Sequence, residues 1–478
     1  MARTKIVATL GPATQTEERI KALADAGADM FRLNMSHGEP EWHRGMIEKI
    51  RAVTADRPDG PAAILGDLSG PKVRVGRIKG GEVMLEKGQT LALVPQDAGG
   101  EAAGDGKVQY VNYPSLGKGL QPGMQVLLAD GMLSLEVVKA APGEAVCAVV
   151  KGGLLKEHKG VNFPGMPLDL PPLTAKDEAG IKRLVEWRVD YVAMSFVREA
   201  GDVKLLKERM REAGAAIPVI SKIERPEAIQ NLRHIVRASD AVMLARGDLG
   251  VEMPLEKVPP LQKLVIKVCN EEFRPVITAT QMLESMIANP RPTRAEASDV
   301  AGAVFDGTDA LMLSEETAAG GYPEAAVTAM EMIAAEAERH LNYSEYAKQR
   351  AEGGVEALAV SACRLAWDLK AKAIISFTRS GSTALLISKY RPSAPVIAVT
   401  PYERTLRRMK LYFGVVPVKV ELREHTEEMI KAVEEACLSR GLAANGDLVI
   451  LTLGIPPARG ETNLLKVHRV GESFGAGT

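Results

Sequence analysis

The sequence predicts an α/β protein: a (β/α)8 barrel with a β-barrel-like lid domain inserted in one of its loops and an α/β domain at the C-terminal end. Three observations predict it. Eight short apolar runs alternate with amphipathic helical patterns, the signature of successive βα units. The alternation stops once, between the third and fourth runs, for a stretch rich in Gly, Val and Leu. After residue 342 a separate α/β alternation begins. With 478 residues the chain is too long for one hydrophobic core, so several domains are expected.

The barrel strands are expected at Ile6–Thr9, Met30–Leu33, Ala62–Gly66, Tyr191–Ser195, Val219–Ile223, Ala241–Leu244, Val276–Thr278 and Ala310–Leu313. Helical periodicity marks Glu17–Ala26, Glu41–Val53, Ala175–Glu186, Val203–Arg211, Pro254–Glu272 and Thr293–Val304 between them. This assigns 1–70 and 166–342 to a TIM-type barrel. The polar motifs all follow strands, at the end where such barrels keep their active sites. Within 71–165, turns such as Lys79-Gly80-Gly81, Pro122-Gly123 and Pro142-Gly143 separate expected strands at Val73–Arg77, Thr90–Val94, Gln125–Leu128, Leu133–Val138 and Ala145–Val150. A β-rich unit inserted there would cover the barrel mouth and exclude water. A strong helix at Val327–Leu341 and a polar linker at Tyr343–Gly354 lead to the last domain, 343–478. Its strands are expected at Ala373–Phe377, Val396–Val399, Val415–Val418 and Leu448–Leu453. No short internal repeat stands out.

Lys plus Arg number 60 and Asp plus Glu 61, a net charge of -1, which gives no support for bulk electrostatic binding to nucleic acid or an anionic membrane. No run approaches the roughly 20 apolar residues of a membrane span. The first residues run from Arg3 and Lys5 straight into a strand pattern, unlike a signal peptide. Cys147, Cys269, Cys363 and Cys437 lie far apart without metal-ligand spacing. They are expected as reduced core residues of a cytoplasmic protein.

The chemistry is concentrated in Ile220-Ser221-Lys222-Ile223-Glu224 and Ala245-Arg246-Gly247-Asp248. Each is an apolar run ending in charge. Period-two geometry points Lys222 and Glu224 to the same side, and Gly247 lets backbone approach a ligand. One ammonium and two carboxylates at strand ends suit a divalent cation holding an anionic oxygen, hence phosphoryl-transfer or enolate chemistry. The bland alternative is that the carboxylates are salt-bridged to Arg225 and Arg246.

Further motifs follow the other strands: Phe31-Arg32-Leu33-Asn34-Met35-Ser36-His37-Gly38, Leu65-Gly66-Asp67-Leu68-Ser69-Gly70-Pro71-Lys72-Val73-Arg74, and Thr278-Ala279-Thr280-Gln281-Met282-Leu283-Glu284. Together, from Lys5-Ile6-Val7-Ala8-Thr9-Leu10-Gly11-Pro12 to Thr462-Asn463-Leu464-Leu465-Lys466-Val467, they resemble the pyruvate kinase family, in its bacterial type, over nearly the whole chain. The resemblance implies transfer of the phosphoryl group of phosphoenolpyruvate to ADP, giving ATP and pyruvate. It implies Mg²⁺ on Glu224 and Asp248, with Lys222 neutralising the phosphoryl oxygens and the developing enolate. Arg32 would be the phosphate fork, since its planar donors match phosphate oxygens. Thr280 and the Gly247 backbone would hold the substrate carboxylate, with Arg74, Lys159 and His37 meeting the nucleotide.

Asn34, Ser36 and Asp67 match the family's K⁺-ligand positions. The residue two before Arg74, usually Glu in K⁺-dependent members, is Lys72 here, and Leu68-Ser69 replaces a Thr-Lys pair. A fixed ammonium would replace the ion, so activity independent of K⁺ is expected. In the last domain, Thr378, Ser380, Gly381, Ser382 and Thr383 cluster hydroxyls and N–H groups at a helix start, as an anion nest does. The resemblance implies that this loop takes the phosphate of an allosteric effector, a sugar phosphate or AMP; a plain helix cap is the bland reading. It also implies a homotetramer. Two other readings remain open on residues alone: a metal-dependent pyruvate aldolase, and a phosphometabolite-binding protein without activity.

Overall fold

A computed structural model describes residues 2–96, 106–346, 351, 353–421, 423, 425–454 and 462–472. Strands Lys5–Thr9, Met30–Asn34, Ala63–Asp67, Tyr191–Met194, Val219–Ile223, Ala241–Ala245, Val276–Ala279 and Ala310–Leu313 close a parallel barrel in chain order. The last pairs with the first, Lys5 opposite Ala310. Every residue of the first, third, fifth and sixth strands is buried, as expected where helices cover one face and the barrel interior the other. The helices start where the sequence supplies caps: the Thr174 and Thr293 hydroxyls accept from the N–H groups of Asp177 and Glu296, which reciprocate.

Between Asp67 and Ala175 lies the inserted unit: a six-stranded curled sheet and a two-stranded pair around their own apolar cluster, including Leu93, Val126, Leu135 and Phe163. Val73–Arg77 is not a strand. It makes only isolated bridges, Arg74 to Gly160 and Val75 to Val111, because it threads between two partners and completes a ladder with neither. Conversely, Glu82–Leu85, Val108–Val111, Gly153–Lys156 and Val161–Asn162 are strands whose few residues offer too little alternation to read.

In the C-terminal domain Val415–Lys419, Val396–Thr400, Ala373–Phe377 and Leu448–Leu453 form a parallel sheet, edged by antiparallel Leu464–Arg469. All four cysteines are buried and unpaired. Among the described residues no helix is long and apolar enough to cross a membrane.

A short repeat that periodicity does not reveal recurs at the floor of the barrel. Asp29, Asp190, Asp240 and Asp309 each stand one residue before an even-numbered strand. Each carboxylate accepts the N–H of a residue in the preceding odd strand: Ile6 at 3.1 Å, Ile64 at 2.9 Å, Val219 and Val276 at 2.8 Å. Each aspartate's own N–H returns to the carbonyl of that same residue. Three of the four then anchor the C-terminal domain. Asp309 meets Lys389 at 2.7 Å and Arg391 at 3.1 Å; Asp190 meets Arg407 at 2.8 Å; Asp29 meets Lys410 at 3.7 Å. Leu411 joins the apolar cluster of the barrel interior with Val7, Ile220 and Ile277.

Candidate active site

The fifth strand delivers Lys222 to the barrel mouth and Glu224 follows it by one turn of the pleat. The Lys222 ammonium donates to Ser195 Oγ at 2.8 Å and lies 2.9 Å from Glu224 Oε1 and 3.6 Å from Asp67 Oδ2. Asp67, at the end of the third strand, also accepts from Arg32 Nε at 2.7 Å. Arg32 Nη1 reaches Thr9 Oγ1 at 3.2 Å. Two cations and two carboxylates from strands two, three and five therefore share one buried cluster. Burial alone would lower the Lys222 ammonium, but Asp67 and Glu224 outweigh it and raise its pKa. Burial would likewise raise the Asp67 carboxyl, yet Lys222 and Arg32 hold it below the ordinary range. Glu224 goes the other way: burial, with Asp248 adding negative charge, raises it against the pull of Lys222. Of the two partners, Lys222 is the one whose charge is secured on several sides.

Arg225 pairs with Glu227 at 3.3 Å and Arg246 with Asp299 at 2.7 Å. Neither arginine is bonded to Glu224 or Asp248 in the structure; those carboxylates pair with Lys222 and Lys72. Arg246 instead donates to the Thr280 carbonyl at 3.0 Å, while the Gly247 N–H donates to Thr280 Oγ1 at 2.7 Å. Thr280 and Gln281 both have positive φ, 69° and 54°. A β-branched residue there is a genuine outlier, of the kind that functional sites maintain.

These groups border a cleft of about 1140 Å³ lined by Arg32, Asn34, His37, Gly247, Asp248 and Thr280, and by Lys72 and Asp130 from the third-strand loop and the inserted unit. Lys72 Nζ lies 3.2 Å from Asp248 and 3.5 Å from Asp130. Against burial, those two carboxylates raise its pKa. The cation-site positions are less uniform. Asp67 is engaged by Arg32 and Lys222, and Asn34 Oδ1 accepts the Ser36 N–H at 3.1 Å. Lys72 bonds none of the three in the structure; its ammonium is beside Asp248. Arg74 donates to the His158 carbonyl at 2.9 Å and is close enough to His37, with Lys176 and Arg32, to add to the burial that lowers that imidazole's pKa. Lys159 is exposed; neither it nor Arg74 lines the cleft.

Distant from the mouth, Gly381 (φ 91°) starts the helix Ser382–Lys389, and its N–H donates to Thr378 Oγ1 at 2.9 Å. Ser380 Oγ meets Ser382 Oγ at 3.1 Å, and Thr383 Oγ1 meets Thr462 Oγ1 at 2.7 Å.

Sequence reasoning missed Ser195, Phe196 and Thr9. Phe196 has positive φ and its N–H donates to Glu224 Oε2 at 2.7 Å. Only the fourth strand's position beside the third and fifth brings Ser195 and Phe196 to the lysine and glutamate, and only the pairing of the first strand with the second sets Thr9 beside Arg32. Glu224 Oε1 and Asp67 Oδ1 are buried oxygens without a hydrogen-bond partner. The contact of Glu224 Oε1 with Lys222 is close enough for an ion pair but not aligned as a hydrogen bond. Unsatisfied hard oxygens of this kind fit a divalent cation. Among the described residues no three His, Cys, Asp or Glu side chains form a metal cage.

The family profile described as pyruvate kinase, barrel domain, matches residues 1–327, and that described as pyruvate kinase, alpha/beta domain, matches 356–468. The chain is similar to pyruvate kinases of Staphylococcus aureus strains USA300, NCTC 8325 / PS 47 and COL. Each is 44% identical over 484 aligned positions, covering 100% of this chain and 82% of the relative. With one profile over the barrel and another over the C-terminal domain, and relatives 44% identical along its whole length, the chain belongs to the pyruvate kinase family of phosphotransferases.

Proposed function

We propose that the chain transfers the phosphoryl group of phosphoenolpyruvate to ADP with Mg²⁺ held on Glu224 and Asp248, without need of K⁺, under control of a phosphorylated effector. The observation that carries the reading is the Lys222–Glu224–Asp67–Arg32 cluster beneath a cleft lined by Asp248 and Thr280. When bound, Mg²⁺ supplies Lewis-acid charge to the phosphoryl oxygens. Arg32, fixed by Asp67 and Thr9, presents its remaining donors to the phosphate. Lys222, oriented by Ser195, neutralises charge as the enolate forms. Thr280 and the Gly247 backbone orient the carboxylate. Arg74, Lys159 and His37 meet the nucleotide on the lid side. The division into a barrel at 1–70 and 166–342, a lid at 71–165 and a regulatory domain at 343–478 belongs to this reading, as do a homotetramer and a cytoplasmic location. Separate apolar clusters support the division. A steady-state assay with phosphoenolpyruvate and ADP tests the core proposal. Pyruvate and ATP formation abolished by EDTA and restored by Mg²⁺ is expected; enolate exchange without nucleotide turnover would favour an aldolase instead.

The half-buried ammonium of Lys72 among the cleft carboxylates supports K⁺ independence, because the chain supplies a cation from solvent's side of the site. A metal on Asp248 would share that carboxylate with the ammonium. With tetramethylammonium as the sole monovalent cation, turnover should persist within about twofold of its value in K⁺. Collapse rescued by K⁺ defeats the idea. For the effector, the 378–383 hydroxyl cluster is the supporting feature. Ser380→Ala with Thr383→Ala should abolish activation by sugar phosphate or AMP and leave the maximal rate nearly intact, as read from substrate-saturation curves with and without effector.

A further inference from the structure

A cavity of about 240 Å³ lies where the barrel meets the C-terminal domain, lined by Lys207, Met210, Arg211, Ile217, Asp240 and Arg408, among others. The helix Ala200–Glu212 brings Lys207 and Arg211, the start of the sixth strand brings Asp240, and the helix Glu403–Arg408 brings Arg408. Among the described residues Asp240 is the only carboxylate lining it, and it is already engaged. Its Oδ2 accepts the Val219 N–H at 2.8 Å and pairs with Lys207 at 2.8 Å. Two guanidinium charges are left over. Arg211 makes no side-chain hydrogen bond or ion pair among the described residues. Arg408 Nη2 donates to the Ala216 carbonyl at 3.2 Å, but its buried Nε has no hydrogen-bond partner.

More positive charge crowds the same edge. Arg404 donates to that same Ala216 carbonyl at 2.8 Å, and burial together with Arg408 and Arg407 lowers its pKa. An arginine in the last turn of a helix also complements the helix dipole. That accounts for Arg211 but leaves the buried Nε of Arg408 without a partner. Two guanidinium groups lining one small cavity match a tetrahedral oxyanion, and Met210 and Ile217 offer an apolar wall for a short carbon skeleton.

We propose that this cavity is an oxyanion site, separate from the barrel mouth and from the 378–383 loop, that takes inorganic phosphate or a small phosphomonoester between Arg211 of the barrel and Arg408 of the C-terminal domain. Because the two arginines belong to different domains, the bound anion links them and favours their docked arrangement. The site does not depend on the effector reading of the 378–383 loop.

Equilibrium dialysis of the full-length enzyme with radiolabelled phosphate tests it. Arg211→Gln and Arg408→Gln should each remove one phosphate site per subunit, or weaken it at least tenfold, with Arg211→Lys retaining it. A chain carrying Arg32→Gln, Ser380→Ala and Thr383→Ala should still bind one phosphate per subunit, and addition of Arg211→Gln should abolish it. Competition by glycerol 3-phosphate at tenfold lower concentration than phosphate identifies the ligand as a phosphomonoester; equal or weaker competition assigns the site to the free ion. Unchanged phosphate stoichiometry and affinity in both single glutamine variants overturns the proposal. So does displacement by chloride at matched ionic strength. Arg211 is exposed, so its replacement tests binding without disturbing the core.

Discussion

Lys222→Met is expected to lower kcat by about a thousandfold or more, since one preorganised donor is typically worth about 3–4 kcal/mol in the transition state and here a full charge is removed. The KM for phosphoenolpyruvate should change far less, because on the proposed reading Arg32, Thr280 and the Gly247 backbone still bind the ground state. The structure gives the reason for such a split. Lys222 is held from three sides, by Ser195 Oγ at 2.8 Å, Glu224 at 2.9 Å and Asp67 at 3.6 Å. Its charge is therefore fixed before substrate arrives. The methionine keeps the volume of the stem but leaves Glu224 and Asp67 with one cation fewer, so thermal melting must accompany the kinetics. Ser195→Ala offers a milder control that perturbs orientation alone and should cost less than the lysine replacement. A folded Lys222→Met enzyme with kcat within tenfold of the parent would remove the lysine from the chemistry.

Asp309→Ala carries the largest expected loss of stability. Asp309 is buried and meets two buried cations, Lys389 at 2.7 Å and Arg391 at 3.1 Å, besides accepting the Val276 N–H at 2.8 Å. Among the described residues Lys389 keeps only Asn270 Oδ1, at 2.6 Å, as a side-chain partner once the carboxylate is gone. Breaking a buried ion pair from one side costs about 3–5 kcal/mol because an uncompensated charge remains. Burial already lowers the pKa of Lys389 despite Asp309; without Asp309 the amine is pushed lower still. The expected readout is earlier denaturant-induced separation of the C-terminal domain from the barrel, followed by hydrogen exchange at the Ala310–Leu313 strand. Asp309→Ala combined with Lys389→Met should cost less than Asp309→Ala alone. An equal or larger loss in the double variant would show that the pair contributes through packing and not through charge.

The barrel strands were legible because each is a short apolar run with nearly every residue buried, so composition alone marks them. Lys222 and Glu224 were legible for a related reason: charge at the end of such a run has nowhere to go but the mouth. The lid was harder. Glu82–Leu85 is four residues long with two side chains exposed and only Leu85 buried, and Val161–Asn162 is a two-residue strand defined only by pairing with Gln125–Leu128. The antiparallel edge Leu464–Arg469 was missed for the same cause, since an edge strand needs little apolar surface. The four floor aspartates look like ordinary turn residues in the sequence. Their common role emerges only when each is seen bridging two strands and, in three cases, gripping a second domain.

By itself the sequence determined the domain architecture, the family, and which strands end in a lysine, two carboxylates, an arginine and a threonine. It could do so because burial selects apolar runs, and chemistry selects residue types at their ends, both being local properties of the chain. Tertiary structure alone decided who meets whom. It gave Asp67 to Arg32 and Lys222, set Lys72 beside Asp248, held Thr280 at positive φ, and gathered Arg211 and Arg408 around one cavity. Those are contacts between residues far apart in the chain, and a charge finds its partner only when closure of the barrel and docking of the domains bring the two within a few ångströms.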